Sequence, residues 1–421
     1  MTDGVICRPE VLSPAGEWSA LEAAIRGGCD AIYFGVGDLN MRSSARNFKA
    51  EELGDIVARC RQSDVLAYLT LNTIVYEKEL GLLDGYLDMA VTAGVDAVIA
   101  SDLAVIDSAR SRGLAVHIST QMSVSNSRSL AVLFRNFNIR RFVLARECSL
   151  EDIVLMRRRL HKLLGDDADE IEFESFAHGA MCVAVSGRCF MSQDQYGKSA
   201  NRGECLQPCR REYRVTNVEE DQAFDLGDHY VMSPKDLCTL PFVEKLIDAG
   251  IASLKIEGRN RSPEYVGAVT RAYREVVDAY MMQRSEPDFA ETFAALKQEH
   301  VASIDRVFHR GYSSGFFMGQ PMDAWTKSGG SQASTRKFYV GLVTNYFAHI
   351  GVAEVKVVDN GIKVGDSTIF TGNKTGALEQ KIESMQVERE SVNAVEKGTL
   401  VAIKVDEPVR RNDKMYVVRE L

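Results

Sequence analysis

Short apolar runs alternate with amphipathic segments of helix length over the first 260 residues of the chain. Eight runs rich in β-branched and aromatic residues begin at Val11, Ala31, Ala67, Ala97, Ala115, Arg141, Ile171 and Ser253. Segments between them, such as Trp18 to Arg26, place apolar residues three and four positions apart, which is typical of a helix with one buried face. Strands that alternate with helices predict a parallel sheet. Eight such units favour a closed, TIM-like β/α barrel of the α/β class over an open doubly wound sheet.

The alternation stops after the seventh run. The segment 182–250 begins with a stretch dense in cysteine and glycine, continues as a polar, hairpin-like section and ends in a helix over Phe242 to Ala249. A loop this long in a compact domain is usually functional. We therefore predict a Cys-rich insertion between strands seven and eight, followed by the eighth strand and a helix from Pro263 to about Gln283.

The hydrophobic period changes to two from Phe338 onward. The segments Tyr339–Val343, Ala353–Val357 and Val401–Val405 alternate apolar and polar residues, and tight turns separate such runs. This pattern predicts a small C-terminal all-β barrel. The predicted organisation is a β/α barrel over 1–283 that carries the insertion 182–250, a connecting segment 284–336, and the small β-barrel 337–421.

Polar residues follow the predicted barrel strands. Active sites of β/α barrels lie at the carboxyl ends of their strands, and a polar barrel mouth is the default site. A single polar residue at the rim of a barrel need not have a function. We therefore expect an active site here because the whole ring of residues is polar. The candidates are Arg42, Asn72, His117, Gln121, Arg146, Glu174, His178 and Arg259.

Composition and charge limit the classes of protein to which this chain can belong. The chain has 421 residues, of which 45% are hydrophobic and 26% charged, as in a folded protein. The net charge of -9 argues against non-specific binding of nucleic acid by the whole surface. Residues 182–214, however, contain six Lys or Arg and three Asp or Glu, so this segment has a local positive charge. No apolar run approaches the roughly 18–20 residues of a membrane span. Because Met1 to Gly4 show no signal-peptide pattern, we expect a cytoplasmic protein without membrane contact.

The cysteines are the strongest candidates for metal chemistry. Nine cysteines without a signal peptide argue against a secreted disulfide framework. Four of them follow the pattern Cys182-x6-Cys189-x15-Cys205-x3-Cys209, and Cys238 lies downstream. Long gaps with glycines suit an iron–sulfur cluster held from several loop points, while zinc binding and inert or redox thiols remain open. The sequence contains no HExxH motif, and a cysteine–histidine pair with His178 is the route to peptidase chemistry that the clustered cysteines offer.

Six motifs resemble the collagenase-like U-type peptidase family. They are Leu12–Gly16, Glu174–Cys182, Ser186–Ser192, Asn201–Arg210, Ser233–Leu237 and Lys255–Arg259, and the match extends from residue 11 to about 320. The family was named for reported collagenase activity. Its members include RNA and quinone-precursor hydroxylation proteins that carry an oxygen-sensitive 4Fe–4S cluster. The length and the single appended β domain are similar to the branch that hydroxylates tRNA.

The resemblance implies an enzyme that forms 5-hydroxyuridine at the wobble position of tRNA and depends on a 4Fe–4S cluster and on prephenate. It implies cluster ligands Cys182, Cys189, Cys205 and Cys238, although in some members the position of Cys209 takes part. It also implies the anticodon arm of tRNA as partner, and a further protein or a second copy, because some members act as pairs.

The residues at the predicted mouth suit these roles. Arg146, Arg259 or Arg42 would pair with the two carboxylates of prephenate, since guanidinium binds carboxylate bidentately. His178 and Glu174 would move protons, and Asn72, His117 and Gln121 would complete the substrate site. The alternatives are a collagenase-like peptidase and a non-catalytic RNA-binding module, which would need neither a cluster nor a small ligand.

Overall fold

The structure is a computed structural model, and it describes residues 7–44, 47–213, 215–217, 219, 222–224, 230, 232–320 and 324–421. Arg214 of the basic loop and Met1 to Gly4 lie outside these residues. Elements are numbered in chain order below.

Eight parallel strands close into a barrel, which confirms the predicted TIM-like fold. The strands are β1 (Glu10–Ala15), β2 (Ala31–Phe34), β3 (Leu66–Leu71), β4 (Ala97–Ala100), β5 (Val116–Ile118), β6 (Arg141–Val143), β7 (Glu172–Gly179) and β11 (Ile251–Ile256). Neighbours in sequence pair from β1 to β7, and β11 pairs with both β7 and β1 to close the ring. All eight predicted strands are present, with ends that differ by only a few residues.

Helices cover the outside of the barrel. They are α1 (Trp18–Arg26), α2 (Leu53–Arg61), α3 (Leu80–Ala93), α4 (Leu103–Ser111), α5 (Ser127–Phe137), α6 (Leu150–Leu164), α8 (Val243–Asp248) and α9 (Pro263–Gln283). Three of them begin at side chains that cap the first turn, namely Asp102, Asn126 and Ser149. None of the described helices combines the length and apolarity that crossing a membrane requires.

The barrel interior contains two buried ion pairs. Near the amino-terminal ends of the strands, Arg141 Nη1 lies 2.9 Å from Glu10 Oε1. Closer to the carboxyl ends, Lys255 Nζ lies 2.7 Å from Glu174 Oε1, and both side chains are almost completely buried. Ions of opposite sign must be paired when they are buried, so these two pairs keep polar side chains in fixed positions beneath the mouth.

The insertion adds to the barrel sheet. After β7 come α7 (Met191–Tyr196), the hairpin strands β8 (Val215–Asn217) and β9 (Gln222–Phe224), and β10 (Asp236–Cys238). Strand β10 pairs antiparallel with the end of β7, so Cys238 lies opposite His178. The connecting segment also takes part, because it contains α10 (Phe289–Asp305) and β12 (Tyr312–Ser313), and β12 pairs with β10.

The C-terminal region is all β, as predicted. Its sheet contains eight antiparallel strands, β13 (Thr335–Phe347), β14 (Val352–Val357), β16 (Ser367–Gly372), β17 (Gly376–Lys381), β18 (Met385–Val387), β19 (Glu390–Val392), β21 (Leu400–Lys404) and β22 (Lys414–Glu420). A ribbon of β15 (Ile362–Lys363) and β20 (Ala394–Val395) completes it. The region has its own apolar core, separate from that of the barrel.

The C-terminal region is attached to the outside of the barrel at α1 and α9. Gly376 approaches α1 so closely that a Cβ atom there would lie 2.8 Å from the backbone nitrogen of Ala23. Lys337 Nζ lies 2.6 Å from Glu264 Oε1 on α9. Backbone packing and an ion pair therefore hold the two regions together.

We predict that Gly376→Ala lowers the free energy of unfolding more than Gly398→Ala. Both glycines have positive φ, 69° and 96°, but a Cβ at Gly398 meets open space. Left-handed strain costs roughly 1–2 kcal/mol in either variant. The contact with α1 adds roughly 1–3 kcal/mol for Gly376→Ala alone. Urea titration of both variants measures the difference, and equal losses would contradict the close approach.

Candidate functional site

A cavity of about 210 Å³ opens at the carboxyl ends of the barrel strands, as the barrel rule predicts. Its walls come from the loops after β2, β3, β5 and β6, from the end of β11 and from the Cys-rich insertion. The cavity lies at the level where the predicted polar ring converges, so the residues that line it are the candidates for binding and chemistry.

Positive charge dominates this cavity. Its basic lining residues are Arg42, Arg146, Arg210, Lys255, Arg259, Arg261 and Arg310. Among the described residues that line it, Glu257 is the sole carboxylate. A concave site with so many cations and one fixed anion is built to bind a further anion.

Glu257 is held in its ionised form. Its Oε1 atom lies 2.8 Å from Arg42 Nη2. Burial raises the pKa of this carboxyl, but Arg42 and Arg146 outweigh burial and bring it down to about 2. Glu257 therefore neutralises Arg42.

Arg146, Arg210 and Arg259 hydrogen-bond to neutral groups instead. Arg146 Nη1 donates to the carbonyl oxygen of Ala180 at 2.9 Å, and its guanidinium lies 4.0 Å from the centre of the Phe176 ring. Arg259 Nη1 donates to Thr70 Oγ1 at 3.1 Å. Burial lowers the pKa of Arg259 and of Arg210 to about 10, because it removes water from the charged guanidinium groups and so disfavours their protonated form. An anion in the cavity would offset that cost.

Arg261 and Arg310 share a carboxylate behind the wall. Arg310 Nη1 lies 3.3 Å from Asp236 Oδ1, and Arg261 Nη2 lies 3.8 Å from Asp236 Oδ2. Both guanidinium groups also lie over the ring of Phe308. Asp236 belongs to β10, so the insertion fixes the position of this part of the wall.

Four cysteines line the same cavity, namely Cys182, Cys189, Cys205 and Cys209. Three of their sulfur atoms accept a backbone N–H from the residue two positions later, at 3.5 Å for Cys182, 3.4 Å for Cys189 and 3.4 Å for Cys205. Amide donors of this kind stabilise thiolate ligands and tune iron–sulfur centres. Four thiols, three of which accept an amide N–H, fit the ligand set of a 4Fe–4S cluster.

The arrangement differs from that of a site for one ion. The described residues contain no group of three or more His, Cys, Asp or Glu side chains placed to hold a single metal ion. A 4Fe–4S cluster instead spreads its four thiolates over four irons.

Cys238, one of the four predicted ligands, lies elsewhere. It is buried in β10 beside Tyr273, does not line the cavity, and burial raises the pKa of its thiol to about 12. The structure brings Cys209, the alternative left open by the sequence, together with the other three cysteines. The pairing of β10 with β7 is the physical reason, because it carries Cys238 behind the mouth.

The segment from Cys182 to Arg211, here called the cysteine lid, is attached to the barrel rim at several points. Ser186 donates its backbone N–H and its hydroxyl to Glu147, at 2.8 and 3.1 Å. Gly203, with φ of 82°, lies so close to the loop after β2 that a Cβ atom would be 2.2 Å from the carbonyl oxygen of Asn40. These contacts hold the cysteines over the mouth.

The predicted substrate residues divide into two groups. Arg42, Asn72, Gln121 and Arg259 line the cavity. His117 does not line it, since it lies inside the barrel with its ring centre 4.7 Å from that of Tyr68. The alternation of side chains along β5 places His117 below the mouth.

The predicted catalytic residues divide in the same way. Arg146 lines the cavity, whereas Glu174 and His178 do not. Glu174 lies beneath the floor and binds Lys255, which does reach the cavity. His178 is enclosed by tyrosine rings, with centres 5.9 Å away for Tyr265 and 5.7 Å for Tyr273 and Tyr312.

Sequence reasoning missed Lys255, Arg210 and Arg310 as lining residues. Lys255 had a usable signal, because it precedes Glu257 by two residues and therefore shares its side of the strand. Arg310 had none, since it follows α10 and reaches the mouth through the pairing of β12 with β10.

The fold and the site together define a β/α-barrel protein with a cation-lined mouth beneath a cysteine lid. A family model described as Peptidase family U32 matches residues 16–327. The chain belongs to this family, as the sequence motifs predicted.

Relatives in the family carry two kinds of name. The chain is 39% identical over 97% of its length to a protein of Porphyromonas gingivalis named "Collagenase", of which it covers 97%. It is 34% identical to "tRNA hydroxylation protein P1" of Bacillus subtilis, over 90% of this chain and 87% of that one. It is also 33% identical to the Escherichia coli "23S rRNA 5-hydroxycytidine C2501 synthase", over 73% of this chain and 45% of that one.

We predict that His178 makes the free energy of unfolding depend on pH. Burial lowers its pKa from 6.5 to about 3. Between these values the unfolded chain binds a proton that the folded chain does not, so stability falls as pH decreases from 6.5 to about 3 and levels off below. The loss is on the order of 4 kcal/mol. Urea titrations of wild type and His178→Gln across this range should show a shallower pH dependence in the variant, and identical slopes would contradict the prediction.

Proposed function

We propose that this chain is an RNA-modifying enzyme that hydroxylates a tRNA uridine at C5, at the wobble position, with a 4Fe–4S cluster and a small dicarboxylate such as prephenate. The observation that carries the proposal is the cation-lined cavity with four cysteines on one wall. The names of the Bacillus subtilis and Escherichia coli relatives support RNA hydroxylation as the class of reaction.

The cavity offers a place for two carboxylates. Arg146, Arg210 and Arg259 hydrogen-bond to carbonyl and hydroxyl groups and keep N–H donors for a ligand. Guanidinium groups bind carboxylates bidentately and with fixed geometry. A dicarboxylate would thereby offset the unpaired positive charge, while Glu257 would prevent the site from binding anions of excessive charge.

Cys182, Cys189, Cys205 and Cys209 would hold the cluster. When bound, such a cluster supplies one-electron transfer at the wall of the cavity. Replacing the C5–H bond by C5–OH takes up one oxygen atom, from water or dioxygen, and removes two electrons from the base, so the reaction would also need an external electron acceptor, to which the cluster would pass electrons one at a time. The base would leave its loop to enter the mouth, as base-modifying enzymes require.

Other lining residues have roles that follow from their chemistry. Asn72 and Gln121 present amide groups that can hydrogen-bond the edge of a uracil. Lys255 holds a proton at Nζ on the floor of the cavity, and Glu174 beneath it keeps the ammonium group in place. Lys255 thus takes the proton-carrying role that the sequence suggested for Glu174 and His178.

A collagenase-like peptidase is the second candidate, favoured by the name of the Porphyromonas gingivalis relative. It would use a thiolate from the cysteine lid as nucleophile. His178 is a poor partner for this chemistry, because tyrosine rings enclose it away from the cavity. Cleavage of gelatin by the purified protein, lost in Cys182→Ser, would favour the peptidase.

We predict that Cys209→Ala removes most of the iron and acid-labile sulfide from protein purified without oxygen. Cys238→Ala is the matched control, and it should keep about four irons and four sulfides per chain, because Cys238 lies outside the cavity. Iron analysis and the visible absorption spectrum give the readout. Loss of iron in Cys238→Ala alone would restore Cys238 as the ligand, and zinc in the wild type would contradict the cluster.

We predict that Arg146→Ala lowers the 5-hydroxyuridine content of tRNA by roughly 30-fold or more, since it removes a charged contact to the dicarboxylate. Nucleoside mass spectrometry of tRNA from a deletion strain carrying each variant measures this. Arg159→Ala, a change on an exposed position of α6, should restore full modification. Iron content should stay at the wild-type level in both variants. Full modification by Arg146→Ala would remove this residue from the site.

A further inference from the structure

Several apolar and aromatic side chains of the cysteine lid and of the adjoining loop after β3 are exposed to solvent. Phe190 is 75% exposed, Val185 65% and Tyr76, on the adjoining loop after β3, 52%. Ile74, Tyr196 and Leu206 are also exposed. We call these six residues the aromatic face. Solvent-exposed apolar groups concentrated in one region usually mark a binding surface.

Arginine side chains are interleaved with this face. The guanidinium carbon of Arg202 lies 4.7 Å from the centre of the Tyr76 ring, and that of Arg211 lies 5.2 Å from the centre of the Tyr196 ring. Arg188 is anchored by donating Nε to the carbonyl oxygen of Gln121 at 3.0 Å. Aromatic rings with cations beside them provide what unpaired nucleotides need, namely π faces for the bases and positive charge for the phosphates.

The face is continuous with the cavity. Phe190 lies between Cys189 and Met191, and both of these neighbours line the cavity. Leu206 donates its backbone N–H at 3.0 Å to Ser192 Oγ, and Ser192 is another lining residue. The lid therefore contributes both lining residues of the cavity and exposed residues of the aromatic face.

We propose that the aromatic face binds the unpaired nucleotides that flank the target base, by stacking on Phe190 and its aromatic neighbours. This inference rests on the proposed RNA substrate and identifies where its single-stranded loop lies. A strand that follows the face passes the edge of the lid, so one base has a short path into the cavity. Stacking is tolerant of sequence, which suits residues that hold a loop while the cavity selects the base.

A second copy of this chain is the less favoured occupant. Interfaces between identical subunits are depleted of charged side chains at their centre. Arg211 lies over the ring of Tyr196. Arg202 lies over the ring of Tyr76 and is paired with Glu79. The charge of Arg211 within the apolar patch suits a polyanion better than it suits an identical face that carries the same charge.

The test is the affinity of the full-length holoprotein for fluorescently labelled RNA, measured by anisotropy. The probes are an anticodon stem–loop and the same stem with its loop nucleotides paired. We expect Phe190→Ala to weaken binding of the stem–loop by roughly ten-fold or more and to leave the paired RNA unaffected. Met282→Ala is the matched control, because this side chain is 78% exposed at the far end of α9.

Two further variants separate stacking from charge. Phe190→Trp should retain affinity, and its added indole fluorescence should be quenched by the stem–loop and not by the paired RNA. Arg211→Gln should weaken binding of both RNAs and reduce the slope of log affinity against log salt by about 1. Phe190→Ala should leave that slope unchanged.

Three results would overturn the inference. The first is an affinity of Phe190→Ala for the stem–loop equal to that of wild type. The second is an equal loss of affinity of Phe190→Ala for the stem–loop and for the paired RNA. The third is that Phe190→Ala changes the protein from dimer to monomer in light scattering and leaves RNA binding intact. The binding assay does not need turnover, so its outcome is independent of the proposed reaction. If the wild-type protein hydroxylates tRNA but Phe190→Ala binds RNA as tightly as wild type, the aromatic face is rejected and the proposed reaction stands. If binding of the stem–loop depends on Phe190 but the protein does not hydroxylate tRNA, the proposed reaction is rejected and the aromatic face stands.

Discussion

The concentration of guanidinium groups around Glu257 is the constraint on which the barrel mouth depends. Burying an ion costs several kcal/mol unless other charges or hydrogen bonds compensate. Arg42 is compensated by Glu257, while Arg146 and Arg259 rely on a carbonyl and a hydroxyl. The low pKa of Arg259 shows that this compensation is incomplete. A mouth of this kind has excess positive potential, and an anionic ligand lowers the free energy of the whole arrangement.

The layers below the mouth keep its chemistry in place. Glu174 holds the side chain of Lys255 from beneath the floor of the cavity, and the rings of Tyr33 and Phe176 lie beside its Nζ atom. The Glu10–Arg141 pair in the next layer closes the bottom of the barrel with charges that are themselves matched. Positive charge is therefore balanced inside the barrel and unbalanced only where the cavity opens. This gradient would direct the proposed anion to the mouth rather than into the core.

The periodicity of the sequence was sufficient to predict the barrel, because each β/α unit repeats the same buried face. It also pointed to Arg42, Arg146 and Arg259, which line the cavity. His178 lies outside the cavity because β7 continues past the point where a rim residue would lie and pairs with β10. That pairing joins segments separated by most of the insertion, and no local pattern around Asp236 or Cys238 indicates it. The same long-range contact placed Cys238 behind the mouth and left Cys209 beside the cavity.

The charge of the chain as a whole strengthens the case for a localised RNA site. A net charge of -9 repels a polyanion from most of the surface, so RNA can approach productively only where positive charge is concentrated. That concentration lies in the cavity and on the cysteine lid, which forms part of the cavity wall. The proposed contacts with RNA would therefore lie at the same end of the barrel as the four cysteines. An acidic body with a basic mouth would favour one orientation of such an RNA, in which its unpaired loop faces the cavity.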